Sequence, residues 1–189
     1  MTMSQQLQKE NNSNELFPYL RAGMGAAEVK TIVKHWIEQP SHAKTFLDNY
    51  NQLKDIQKKK GFWVLSHMAQ AGAKHLEEFQ TPIFDIFKST NERSIRRETF
   101  CIFFHTNVTE EIEGHMVEKA FLVLTDPEAA VAERHHGLQW LFRAAMQYSD
   151  LIPEIIDCLE KGKMALTPSW KKYSEKLIQE LSNGKVRKV

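Results

Sequence analysis

The stretch Ile83-Phe-Asp-Ile-Phe-Lys88, the polar break Ser89-Thr-Asn-Glu92 that follows it, and Ile95-Arg-Arg-Glu-Thr-Phe-Cys-Ile-Phe-Phe104 decide how the chain is read. They form an apolar helix, a tight polar turn and a second apolar helix with paired arginines in its first turn. The pattern recurs at a shift of 37 residues in either direction. Phe46, Leu47 and Tyr50 become Ile83, Phe84 and Phe87, and these become Ala120, Phe121 and Leu124. With the spacing slipping to 35, they become Ile155, Ile156 and Leu159. A basic residue keeps the beat as well: Lys60, Arg97, Arg134 and Lys171 lie 37 apart each time. A period of this length marks stacked helical units.

Outward from that stretch, the chain reads as helix after helix. Over Ala26–Gln39, Val29, Ile32, Val33, Trp36 and Ile37 make one apolar stripe. Pro40 ends this helix, and Ser41 is suited to cap the next. It precedes the first repeat and is expected to serve as an N-terminal cap, because the end of a stack otherwise exposes its packing face. Four pairs are then predicted: Ser41–Lys54 with Ile56–Gln70, Lys74–Lys88 with Glu92–Thr106, Glu110–Leu124 with Glu128–Gln147, and Leu151–Glu160 with Ser169–Leu181. Pro82 is a candidate to split its helix, and Pro127 is placed in a first turn. No stretch alternates with period two, so no sheet is expected. Residues 1–16 lack apolar anchors and read as a disordered tail, 17–182 as one repeat domain, and 183–189 as a basic tail. Phe84 and Phe121, equivalent positions of adjacent units, are both expected in the core.

Composition removes several function classes. Lys and Arg number 25 against 24 Asp and Glu, so overall charge steers the chain toward neither nucleic acid nor membrane. No apolar run approaches the 18 or more residues of a spanning helix. The start lacks a leader pattern, and the two cysteines, Cys101 and Cys158, sit in apolar helical stretches as expected buried thiols; a cytoplasmic protein is the expectation. Catalytic and metal signatures are missing: no Gly-x-Ser-x-Gly, no glycine-rich phosphate loop, no His-Glu-x-x-His and no zinc-spaced cysteines. One Glu-x-x-His, Glu133 to His136, stands without the second copy that a carboxylate di-metal bundle needs. No cofactor is implied, and the balance leans away from an enzyme.

An apolar first helix, a turn carrying Asp55, Glu92 or Asp126, and a basic residue early in the second helix together resemble HEAT and armadillo repeats over about 41 to 182. The resemblance implies an all-α fold, a right-handed α–α superhelix of about four helix pairs with the capping helix at its N-terminus. It also implies that second helices line an inner, concave face. A cation in a helix's first turn opposes the macrodipole at a cost of about 0.3–1 kcal/mol. Lys60, Arg97, Arg134 and Lys171 are therefore expected to be a structural ladder, offset by the turn carboxylates. Val64, Leu65 and Met68 define the buried side of their helix, which leaves Trp63 and His67 on the flank. Arg96, Thr99 and Phe103 in the second unit and His135 and Gln139 in the third extend that row, a candidate partner-binding surface.

The function expected from these features is a non-enzymatic scaffold that presents a helical-repeat surface to a protein or peptide partner. The alternative is nucleic-acid binding, resembling the HEAT-like DNA glycosylases that act on alkylated bases. Lys58, Lys59, Arg93, Arg96, Arg143 and Lys172 would then share a groove with the ladder. Glu92, Glu98 and Glu133 are interleaved with those bases and weigh against it.

Overall fold

A computed structural model of the chain describes residues 16–162 and 168–184. The expected N-terminal tail up to residue 15, the loop at Thr167 and the basic residues 185–189 lie outside them. The chain divides into two compact units, Met1–Asn107 and Val108–Val189. Among the described residues every regular element is helical.

The first unit begins with a hook. Phe17 is buried with a backbone φ of 52°, in the left-handed region that side chains with a Cβ avoid. Its ring meets Tyr19, Trp36 and Phe46 edge-on at centroid distances of 6.0, 5.8 and 5.8 Å. Gln57 holds the bent backbone by donating Nε2 to the carbonyls of Leu16 and Phe17, at 2.6 and 3.2 Å.

Helix α1, Ala26–Glu38, follows as expected and buries Val29, Ile32, Val33 and Trp36. Glu28 caps it by accepting from the Gly25 N–H at 2.9 Å. Helix α2, Ser41–Asp48, is shorter than expected, and Tyr50–Gln52 forms a separate 3-10 turn. Pro40, not Ser41, sits at its N-cap. Helix α3, Asp55–Gln70, ends where Gly72 takes φ 76°. There Ala73 N–H bonds Met68 O and Gly72 N–H bonds Ala69 O, at 3.0 and 2.9 Å, and Ala73 buries itself beside Met68. The second pair's first helix does split, at Phe79 rather than Pro82: a 3-10 segment Lys74–Phe79 leads into α4, Gln80–Ser89, whose first turn accommodates the proline. Helix α5, Arg93–Phe104, completes the unit. Within it α3 lies between α1 and α5, and α4 covers another side of α5.

Phe46 is the centre of this core. Its ring lies 5.6 Å from Trp36 and 6.2 Å from Phe62 between centroids, and it presses so closely on α3 that a Cβ at Gly61 would stand 2.1 Å from it.

In the second unit, α6, Glu110–Thr125, is capped by Thr109, whose hydroxyl accepts from Ile112 N–H at 3.4 Å. Its buried positions are Ile112, Met116, Ala120, Val123 and Leu124. Phe121 falls one step off that stripe and is only half-buried, while Phe84 in the first unit is buried as expected. Helix α7, Val131–Gln147, starts three residues later than Glu128. Asp126 explains the delay: its carboxylate accepts from Glu128 N–H at 2.9 Å and its carbonyl from Ala129 N–H at 3.1 Å, a turn that a helix start at Glu128 would break. A 3-10 turn Ser149–Leu151, α8 over Ile152–Gly162 and α9 over Pro168–Ser182 follow. Helix α6 packs on α7 and α8, and α8 on α9. No helix among the described residues is long and apolar enough to cross a membrane.

Candidate interaction surface

Spacing along α3 puts Lys60, Trp63 and His67 on one flank, at i, i+3 and i+7. Trp63 and His67 are half-buried and their rings lie 5.8 Å apart. The Lys60 ammonium sits 4.5 Å above the indole and donates to Met24 O at 3.3 Å, tying this flank to the residues that lead into α1.

Beside that flank α1 and α3 leave a groove of about 410 Å³. Val29, Val33 and Ile37 of α1 form one apolar wall, at successive turns, and His67 of α3 with Ala71 just past its end the other. Lys30 and Lys34 stand exposed on the rim, and Lys34 Nζ is 3.9 Å from Glu38 Oε1. Of the expected residues only His67 belongs to this groove. Reading α1 purely as a cap passed over the rest, although Ile37 is the one apolar member of its stripe that the core does not claim.

The expected row does not continue along α5. Arg96 is half-exposed, but Thr99 and Phe103 are both 0% exposed. Thr99 donates its hydroxyl to Ile95 O at 2.9 Å, and the Phe103 ring packs 6.4 Å from that of Phe84. Helix α5 has α3 on one flank and α4 on another, so the side that a single-stripe helix would present to solvent is covered. In the second unit His135 is exposed, its ring 6.5 Å from Tyr173, and Gln139 Oε1 lies 2.8 Å from His136 Nδ1.

The four ladder positions have unlike surroundings. Arg97 is half-exposed and its Nε is 3.0 Å from Glu98 Oε1, with Nη2 on the same oxygen. Glu98 is itself buried on α5 and accepts from Ser66 of α3 at 2.6 Å. Arg134 is 1% exposed, and its guanidinium donates to Ala129 O at 3.0 Å, to Leu124 O at 3.2 Å and to Asp126 O. It thus closes the end of α6, where unpaired carbonyls carry partial negative charge. Burial pulls the Arg134 guanidinium below its usual range. Lys171 is exposed. Glu92 pairs with Lys59 at 2.8 Å, a contact that lowers its pKa, while Asp126 holds its own turn and its charge opposes the fall in the Arg134 pKa.

Cys101 and Cys158 are buried free thiols, both pushed up by burial, and Cys101 Sγ lies 3.0 Å from Gln70 Nε2. Among the described residues no group of three or more His, Cys, Asp or Glu side chains is placed to hold a metal ion. Compared with known families, residues 18–181 match the model of a HEAT repeat domain. Comparisons with curated proteins and with solved structures return no match.

Proposed function

We propose, from the premise that this chain belongs to the HEAT repeat family, that it works by binding, as a scaffold whose α1/α3 groove receives a helical peptide segment of a partner protein. The groove is the observation that carries this reading. Its apolar wall repeats at single helical turns, the spacing of anchors on an amphipathic helix laid in a groove. The exposed ammonium groups of Lys30 and Lys34 on its rim suit carboxylates flanking those anchors. Trp63 and His67, next along α3, extend the contact area. His135 and Gln139 remain a candidate surface of the second unit.

Selection of a displayed peptide library on the full chain tests the proposal. Enriched sequences should combine apolar anchors one turn apart with Asp or Glu at the flanks. Ile37→Asp should abolish binding, and Lys30→Glu with Lys34→Glu should reverse the charge preference. Enrichment of basic peptides, or binding indifferent to Ile37→Asp, would overturn it. Nucleic-acid binding is the competing outcome, and Arg97 and Arg134 already hold partners within the chain. A salt-dependent duplex affinity that falls with Lys171→Ala would favour it.

A further inference from the structure

The corner between α1 and α2 brings two histidines together that stand seven residues apart in sequence. His35 lies in the last turn of α1 and His42 in the first turn of α2, and their Nε2 atoms are 3.4 Å apart. Their ring centroids are separated by 4.5 Å. The corner that sets this distance is rigid. Gln39 N–H bonds His35 O at 2.9 Å, His42 N–H bonds Gln39 O at 3.1 Å, and Pro40 between them has a fixed φ.

The Gln39 carbonyl also lies 3.3 Å from His42 Nδ1. A ring that donates its Nδ1–H to a carbonyl carries its lone pair on Nε2. That bond is also the outer-shell contact by which proteins orient a metal-bound imidazole. Two Nε2 atoms this close can share one proton, or both lone pairs can be turned onto one cation. A tetrahedral ion with metal–nitrogen bonds of about 2.0–2.1 Å separates two nitrogen ligands by roughly 3.3–3.4 Å. The observed Nε2 separation meets that requirement in distance, and the tilted rings need only turn about their side-chain bonds to aim both lone pairs at the ion.

We propose that His35 and His42 form a chelating site for a late first-row divalent ion, Zn²⁺, Cu²⁺ or Ni²⁺, with water in the remaining positions. Imidazole nitrogen suits these ions, and affinity should follow the order in which Cu²⁺ leads. Both rings are half-buried, so an ion can reach them and water can complete its shell. Glu38, one turn along α1 from His35, adds negative charge nearby and shares it with Lys34. Binding involves no redox change: each ring keeps its proton on Nδ1 and supplies the Nε2 lone pair. The ion would tie the end of α1 to the start of α2. A motif search does not find such a site, because the proline corner, not a helical spacing, creates the pair.

Titration of the full chain with Zn²⁺ or Ni²⁺ alone, in a non-coordinating buffer, tests the proposal. One ion per chain should bind and raise the melting temperature. His35→Ala and His42→Ala should each weaken binding at least tenfold, while His135→Ala, in the second unit, should leave it unchanged. Should either variant unfold, the intact chain still decides. Substoichiometric Cu²⁺ should broaden the ring NMR signals of His35 and His42 before those of the other six histidines. Uniform broadening of all histidines, or affinity unaffected by either substitution, would overturn the proposal.

Discussion

Arg134 and Lys171 are separated by one 37-residue period, carry the same charge and live in opposite surroundings, one at 1% exposure and the other in solvent. Removing Arg134 takes the guanidinium donor from the Leu124 and Ala129 carbonyls and leaves Asp126 O with the Ala129 N–H alone, so Arg134→Ala should cost about 3 kcal/mol or more. Arg134→Lys should recover little, because an ammonium cannot reach three acceptors from one planar fork. Arg97→Ala removes a half-exposed partner from buried Glu98 and should cost about 1–3 kcal/mol. Lys171→Ala should stay within about 0.5 kcal/mol. Thermal melts of the four variants check the order, and equal losses would contradict it. The ladder's positions were legible in the sequence because charge at a fixed period is visible there. Its partners were not. Arg134 binds main-chain oxygens, which every residue carries and no residue type announces.

At the scale of elements, α3 and Phe46 are fitted to each other through the missing side chain at Gly61. Gly61→Ala gains up to about 1 kcal/mol of helix propensity. It must displace the ring of Phe46, an overpacking worth about 1–3 kcal/mol against folding. We expect net destabilisation, with partial recovery in Gly61→Ala combined with Phe46→Leu. A melting temperature raised by Gly61→Ala alone would contradict the close approach. Helix periodicity gave most of the elements, since apolar stripes are local. What failed were features decided by a neighbour or by one side chain. Thr99 and Phe103 lie on a flank that α3 and α4 cover between them, and the start of α7 was moved by the carboxylate of Asp126. The groove was hidden for a related reason: Ile37 continues the α1 stripe in sequence, and only packing reveals that the core stops short of it.

For the molecule as a whole, acid should act through its part-buried histidines, since burial lowers the pKa of His35, His75 and His105 alike. His75 is half-buried, its Nε2 has no hydrogen-bond partner, and burial holds its pKa below the ordinary 6.5, with Glu78 opposing the shift. The unfolded chain therefore binds this proton more readily than the folded one, and stability present above 6.5 is lost as pH falls below it. Glu92, whose pKa lies below the ordinary 4.5, acts in the same direction in a more acidic range. Melts in chelator should show the melting temperature declining between about pH 7 and 5.5, and His75→Phe should flatten that decline. An unchanged slope in His75→Phe would contradict it. The hook at Phe17 bears on another matter, the order in which the chain takes shape during synthesis. Gln57 reaches back 41 residues to hold Leu16, and Phe46 closes over the Phe17 ring. The earliest-made part of the first unit must wait for α3 before it can settle. Until then a growing chain carries Phe17, Tyr19 and Leu20 without the helix that seats them.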